Sequence, residues 1–290
     1  SDLASELPNN GFELPASDSE LPDLLSELPD FDSELPEFDM ELPEFDFELP
    51  PGDFSPSVTE SISSINLHGV QPLHLELAVA VHCLVLIGGG EFSFGETREI
   101  DEFLLAQMPP DRRSVAFLPT ASGSPEYAQH LGKYFREIDP TVETVNVPIY
   151  RGRDNRRPKN LNAILGAGMV YIGGGVTNNL LGTMRESAAE IALRDAASNG
   201  AVIAAIGAAA SSFGTHVRDM RGVTPAIDGM GWLPNTAIDA GFDDTTLRRL
   251  MSLPDVRLGI GIPAKTALAI RSDGSTQVIG EGQIAAYRKG

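Results

Sequence analysis

Short apolar runs alternate with helical patterns between residues 83 and 206, and this alternation is the strongest constraint on the fold. Each run has the length and composition of a strand that is buried on both faces. Buried strands that are joined by helices form a parallel sheet with helices on both faces and right-handed crossovers. The predicted strands are Cys83–Ile87, Val115–Leu118, Val142–Val147, Met169–Ile172 and Val202–Ile206, and the predicted helices are Glu96–Gln107, Pro125–Ile138, Leu161–Leu165 and Glu186–Asn199.

The pattern after residue 206 becomes shorter and more β-like. A turn at Ser272–Ser275 has the composition of a hairpin connection. Ahead of the alternating region, residues 55–80 are small, polar and punctuated by Pro and Gly, so we expect a linker with a strand at Leu73–Val79. The α/β domain is then 81–290. Its later predicted elements are strands at Ala226–Leu233, Val256–Ile262, Thr266–Ile270, Gln277–Ile279 and Gln283–Ala286, and a helix at Asp243–Ser252.

The first 54 residues form a separate acidic segment. The chain of 290 residues has a formal charge of -20, and residues 1–60 hold 18 of its acidic side chains with no Lys or Arg. Seven copies of Glu-Leu-Pro begin every seven residues from Glu6 to Glu48. A proline in each repeat rules out a coiled coil and favours an extended ribbon of about 3 Å per residue.

Two interpretations of the repeats remain open. A disordered acidic tail would keep the chain in solution. However, the apolar residues stay in register, which is typical of a multivalent ligand for identical pockets, either on the chain's own domain or on neighbouring copies. On the second interpretation the docking anchors are Leu21, Leu28, Phe31, Leu35, Phe38, Leu42, Phe45 and Leu49.

The charge distribution excludes some partners. An acidic tail repels nucleic acid and anionic membranes, and the remaining residues are nearly neutral. The one basic cluster, residues 151–157, is either a solvated loop or a contact for phosphate or an acidic peptide. No run is long enough to span a membrane. A start at Ser1 suggests that a secretion signal or an expression tag was removed, and a secreted or cell-surface location is slightly favoured.

Three glycine clusters follow predicted strands, at Gly88–Gly90, Gly173–Gly175 and Gly207. In an open parallel sheet, ligands bind at these strand ends, where glycine permits close approach of the backbone. No cluster has the spacing of a dinucleotide-binding motif, and we predict neither a cofactor nor a metal site. The single cysteine, Cys83, lies in an apolar run and is expected to be an inert buried thiol.

Several of these stretches resemble the cyanophycinase and dipeptidase E group of serine peptidases. The resemblance spans residues 81–287 and leaves the repeats uncovered. It implies a flavodoxin-like fold, related to class I glutamine amidotransferases, and a Ser-His-Glu triad that cleaves acidic peptide or isopeptide bonds. The matching stretches are Leu86–Gly90, Phe117–Ser122, Tyr171–Leu180, Ala204–Gly214, Gly229–Leu233 and Gly259–Leu268.

The triad that this resemblance implies is not retained. Ala209 stands where the family's elbow pattern has its serine, Gly241 stands at the histidine, and Pro263 with Ala264 replaces an Asp-Glu pair. A single substitution made for an experiment would not remove the serine, the histidine and the acid together. What remains is expected to be a vestigial pocket formed by Gly88, Gly89, Gly174, Gly175, Gly207 and Ala210.

Three functions follow as hypotheses. The first is a non-catalytic structural or assembly protein whose repeats dock on neighbouring subunits, for example in a filament. The second is an active hydrolase of acidic peptides with a relocated nucleophile, Ser211 or Ser212. In the third, the repeats are a precursor or a binding peptide for another protein.

Overall fold

The computed structural model describes residues 62–66 and 73–289. The repeats and their expected anchors, Leu21 to Leu49, lie outside the described residues. Within the described residues the strands are β1 Ile62–Asn66, β2 Cys83–Ile87, β3 Ser114–Leu118, β4 Glu143–Asn146, β5 Met169–Ile172, β6 Val202–Ile206, β7 His216–Arg218, β8 Ala226–Asp228, β9 Thr236–Ala240, β10 Leu258–Ile262, β11 Thr266–Arg271, β12 Thr276–Gly280 and β13 Ala285–Lys289. The α-helices there are α1 Arg98–Gln107, α2 Glu126–Ile138, α3 Pro158–Leu165, α4 Thr177–Met184, α5 Ala188–Ser198, α6 Ala208–Ser211 and α7 Asp244–Met251.

A seven-stranded sheet forms the centre of the described residues, in the order β12-β11-β2-β6-β5-β3-β4. Strands β2 to β6 run parallel, and β11 pairs with β2 in the antiparallel direction. Every residue of β2 and β6 is buried, because helices cover both faces of the sheet. Alternate side chains enter different clusters: Leu84 and Leu86 pack on one face, while Val85 and Ile87 pack on the other.

A second, mixed sheet has the order β1-β13-β10-β9-β7-β8. Its strands β9 and β10 are parallel, and β13 pairs with β10 and β1 in the antiparallel direction. The chain passes from this sheet to the central one through the short segment Pro263–Lys265, which joins β10 to β11. This connection brings the carboxyl ends of β2, β6, β9 and β10 toward one region.

Local sequence signals explain where several helices begin. At the start of α5, the Ser187 side chain accepts a hydrogen bond from the backbone N–H of Glu190 at 3.2 Å. The helix α3 begins at Pro158, a residue that is favoured at the first helical position. Asp243 precedes α7, and its carboxylate accepts from the N–H groups of Thr245 and Thr246. Each cap satisfies backbone donors that have no partner within the helix.

The segment expected as a linker belongs to the fold where it is described, so the boundary at residue 81 is corrected. β1 pairs with β13 along five residues, and Leu73, Leu75 and Val79 are buried in the core. The predicted strand at Leu73–Val79 is wrong, because only an isolated bridge between His74 and Ser275 forms there. The apolar residues of this segment therefore pack in the core without forming a strand.

Other predicted elements are confirmed, some with the predicted bounds and some only in part. β2, β5 and β6 have the predicted bounds, and Gly274, with φ 82°, forms the turn between β11 and β12. The strand predicted at Ala226–Leu233 is confirmed only for Ala226–Asp228. The sequence did not predict β7, β9 or α4. Among the described residues, every helix is too short or too polar to cross a membrane.

The aromatic packing of α2 against the central sheet generates a stability prediction. Phe135 is fully buried, and its ring lies 6.1 Å from that of Tyr171, centroid to centroid. We expect Phe135→Ala to lower the free energy of unfolding by about 3–5 kcal/mol, measured by urea denaturation, because it leaves a cavity. The control is Phe94→Ala, whose side chain is 82% exposed and whose loss should change stability by less than about 0.5 kcal/mol. Equal effects of the two substitutions would contradict this account of the core.

Candidate functional site

A sharp turn joins β6 to α6 at Gly207. This residue has φ 59° and ψ -125°, a conformation that is strained for any residue with a side chain. Its N–H donates to the carbonyl of Ile87 at 2.9 Å, which ties the turn to the end of β2. A Cβ placed on Gly207 would have open space around it, with no neighbouring atom of the described residues within 4 Å. Hydrolases hold a nucleophile on a strand-to-helix turn of this kind, with its side chain in open space.

The turn lies two residues before the position that the sequence predicted. Ala209 is inside α6, fully buried, and packs in the core with Ala210. Its side chain therefore does not face the cleft at the carboxyl ends of β2 and β6, and Ala210 does not line that cleft. The family's elbow pattern begins with a glycine two residues before its serine, which puts the serine position at Ala209, whereas β6 ends at Ile206 and leaves Gly207 itself at the turn.

The other two predicted positions lie at the same end of the sheet. Gly241 follows β9, and a Cβ placed on it would lie 3.7 Å from the carbonyl oxygen of Gly88. Ala264 lies on the segment between β10 and β11, where the N–H of the next residue, Lys265, donates to the carbonyl of Gly89 at 2.9 Å. The turn at Gly207 also bonds to the end of β2. Gly207, Gly241 and Ala264 thus surround the carboxyl end of β2.

A cavity of about 340 Å³ lies beside this cluster. Of the predicted pocket residues, Gly89 and Gly174 line it. Gly175 instead packs on the preceding loop, since a Cβ on it would lie 2.5 Å from the carbonyl carbon of Ala121. The sequence missed the aromatic part of the wall. The full lining is Gly89, Gly90, Phe117, Ser122, Ser124, Tyr127, Gly173, Gly174 and Ile206.

The candidate replacement hydroxyls are buried and already hydrogen-bonded. Ser211 Oγ accepts from the N–H of Ala240 at 3.0 Å, and Ser212 Oγ donates to the carbonyl of Ala208 at 2.8 Å. Their side chains belong to residues that are 5% and 0% exposed. The two serines that line the cavity are also engaged: Ser124 Oγ lies 2.5 Å from Glu126 Oε2, and Ser122 Oγ lies 3.4 Å from the Pro119 carbonyl.

The histidines of the described residues lie away from the turn. His216 starts β7, where Nε2 lies 2.7 Å from Asp255 Oδ2 and Nδ1 lies 3.4 Å from Asp228 Oδ1. It pairs with Ala237 near the amino end of β9, whereas Gly241 follows the carboxyl end. Since a strand rises about 3.3 Å per residue, the four residue steps from Ala237 to Gly241 span about 13 Å along the direction of β9. His130 lies on α2 and lines a different surface cavity, of about 860 Å³.

Charged groups near the cleft include one ion pair and a buried carboxyl group. Lys265 has φ 59°, and its Nζ lies 3.0 Å from Glu96 Oε1. The backbone N–H of Glu91 and this ion pair lower the pKa of Glu96. Burial raises the pKa of Asp239, against the opposing hydrogen bond from the N–H of Asp243. Burial also raises the pKa of the Cys83 thiol to about 11, so the thiol is neutral. No cluster that could hold a metal ion occurs among the described residues.

Comparisons with known proteins agree with this architecture. The family model of peptidase family S51 matches residues 84–278. The uncharacterized peptidase YgaJ of Bacillus subtilis is 31% identical over 154 residues, which are 52% of this chain and 64% of that protein. The chain thus spans less than two thirds of the length of this curated relative.

Two solved structures share the fold. The crystal structure of a peptidase from an acI-B1 actinobacterium aligns with a TM-score of 0.59 and 22% identity, covering 70% of this chain and 89% of the other. A putative peptidase E protein from Listeria monocytogenes EGD-e aligns with a TM-score of 0.51 and 14% identity, covering 70% of this chain and all of the other. At these identities the similarity establishes the fold alone. The predicted flavodoxin-like α/β class is therefore confirmed.

The geometry of the turn predicts how a side chain at Gly207 would behave. We expect Gly207→Ser to fold, because open space surrounds the new side chain, and to lose about 1–3 kcal/mol of stability through backbone strain. Urea denaturation measures this loss. The control is Ala208→Ser at the first position of α6, which should change stability by less than about 0.5 kcal/mol. Equal stability of the two variants would show that a side chain at residue 207 causes no backbone strain.

Proposed function

The chain belongs to peptidase family S51, and we propose that within this family it is a non-catalytic protein whose repeats assemble copies of the chain. One observation carries the first part. Gly207, at the turn, lies at the end of β2 together with Gly241 and Ala264, which occupy the positions where the resemblance expects the base and the acid. None of these side chains can attack a carbonyl or transfer a proton. The elbow position lacks a hydroxyl whether it is assigned by the sequence pattern or by the turn.

Triad catalysis needs a nucleophile, a base and a group that orients the base. Backbone N–H groups alone can bind an oxyanion and polarise a carbonyl, yet without an attacking group they do not open an acyl bond. Substrate turnover would then require replacements from elsewhere in the fold. The hydrogen bonds of Ser211 and Ser212, and the place of His216 near the opposite end of β9, argue against such replacements.

We therefore expect the full chain to be inert toward serine-hydrolase chemistry. Incubation with a fluorophosphonate probe should leave the intact mass unchanged, and aspartyl dipeptides should be hydrolysed no faster than in buffer. A serine hydrolase of proven activity, treated in parallel, controls for the probe and the assay. Turnover together with labelling of Ser211 or Ser212 would instead establish a relocated nucleophile.

The second part of the proposal is supported by the sequence of the repeats. A solubilising tail needs acidic residues but no fixed register, whereas these repeats place a leucine every seven residues and often add a second apolar residue. Several identical repeats on one chain can bind identical pockets on other copies with a higher overall affinity than one repeat, since each bound repeat raises the effective concentration of the next. On this basis the repeats connect several copies of the domain.

Deletion of residues 1–50 is then expected to reduce the molar mass of the particle to that of single chains, as measured by light scattering after size-exclusion chromatography. A matched variant keeps the length and the charge of the tail but replaces Leu21, Leu28, Phe31, Leu35, Phe38, Leu42, Phe45 and Leu49 by Ser. It should dissociate as far as the deletion does, because the anchors are lost. An unchanged particle mass after the deletion would rule out assembly through the repeats.

A further inference from the structure

A second cavity, which we call the arginine cavity, lies across the 120–123 loop from the cleft at Gly207. Its volume is about 510 Å³. Ser122, in the middle of this loop, lines the cleft cavity, whereas Thr120 and Gly123 line the arginine cavity. The side chains that matter below are those of Thr120, Tyr150, Arg151, Asn179, Thr183 and Arg221. Helix α4 and the loops after β3, β4 and β7 supply them, so the cavity is separate from the vacant triad positions.

The buried carboxylate of Asp219 holds Arg221 at this cavity. Asp219 accepts hydrogen bonds from the N–H groups of Arg221 and Thr224, both at 2.9 Å, and from Asn178 Nδ2 at 2.7 Å. These donors hold the pKa of Asp219 well below its usual range, and the backbone N–H of Thr224 contributes most. The carboxylate thereby fixes the loop onto α4. The Arg221 guanidinium donates to Asn179 Oδ1 at 3.3 Å and forms no ion pair within the described residues.

Arg151 is placed in a similar way. The N–H groups of Tyr150 and Arg151 donate to Asp154 Oδ2 at 3.2 and 3.1 Å. The other oxygen of that carboxylate lies 3.1 Å from Arg157. Asp154 is thus occupied by the loop and by Arg157, and the Arg151 guanidinium has no acidic partner among the described residues. Among the residues that the structure describes, no carboxylate lines the cavity. Two guanidinium groups that have no acidic partner in the described part of the chain therefore share the cavity.

Thr120 adds an independent observation. The residue is 3% exposed and lines the cavity, and its hydroxyl has no hydrogen-bond partner within the described residues. A buried hydroxyl is normally hydrogen-bonded, because leaving it without a partner is unfavourable. A ligand oxygen at the cavity wall could provide that partner after rotation of the side chain.

We infer that the arginine cavity binds a carboxylate of an acidic peptide, and that this peptide is a repeat from a second copy of the chain. The guanidinium fork matches a carboxylate in shape and charge. The acidic residues of the chain are concentrated in residues 1–60, with Asp or Glu beside the apolar anchors, as in Pro36-Glu37-Phe38-Asp39. Tyr150, at the wall, offers a ring surface for the adjoining leucine or proline. This inference rests on the proposed assembly function and gives it a binding site.

A labelled synthetic peptide of residues 27–47 tests the inference by fluorescence anisotropy. The receptor is the chain without residues 1–50, so that its own repeats do not compete. The Listeria structure, whose whole chain corresponds to 70% of this one, indicates that such a domain folds alone. We expect saturable binding that weakens at high salt, and at least tenfold weaker binding to Arg151→Gln/Arg221→Gln. The matched control, Arg136→Gln/Arg257→Gln, loses the same charge at exposed positions outside the cavity and should change the affinity less than twofold.

Each remaining outcome overturns the inference. One is equal weakening by both double variants, which would mean nonspecific attraction. A second is undiminished binding of a peptide whose Asp and Glu are replaced by Asn and Gln. A third is binding of inorganic phosphate without binding of the peptide, which would assign the cavity to a small oxyanion. Circular dichroism and the melting temperature verify that each variant is folded. If particle mass falls on deletion of the repeats but Arg151 and Arg221 have no effect, the assembly proposal stands and only this site fails.

Discussion

The arrangement of the cleft depends on a close backbone contact at the end of β2. A Cβ on Gly88 would lie 2.0 Å from the carbonyl oxygen of Pro263, so no residue with a side chain fits there without displacing the backbone. The Gly88 N–H donates to the Thr266 carbonyl, and the Lys265 N–H donates to the Gly89 carbonyl, both at 2.9 Å. These bonds fasten the segment between β10 and β11 onto β2. The two sheets are thereby joined at the point where Gly207, Gly241 and Ala264 meet.

This contact also shows that backbone interactions alone hold the three positions together. The convergence of the three positions follows from sheet packing and backbone hydrogen bonds, neither of which requires a serine, a histidine or a glutamate. Glycine at residue 207 also adopts φ 59° without the steric strain that a serine there would add. A glycine at residue 207 is therefore compatible with a stable turn.

The sequence predicts the central sheet well and the site less well, for physical reasons. β2, β5 and β6 are buried on both faces, so their apolar runs end where the strands end. In contrast, α4 contains Asn178, Asn179 and Gly182, which weaken the helical pattern, and it is fixed by tertiary bonds to the 219–221 loop. The turn was misplaced by two residues, because several small residues in succession give no indication of which one has positive φ. The arginine cavity joins segments that are distant in the sequence, so only the basic cluster at 151–157 could have suggested it.

The place of β1 has a mechanical consequence. Within the described residues, this strand is at the edge of the second sheet and pairs only with β13, from Ile62 opposite Lys289 to Asn66 opposite Ala285. Among the described contacts, these five residue pairs are the first to bear a pull on the chain ahead of residue 62. An edge strand can detach while the strands behind it remain paired, since its loss leaves the β10–β13 ladder intact. Under tension β1 would thus separate from β13 before the force reaches the buried core.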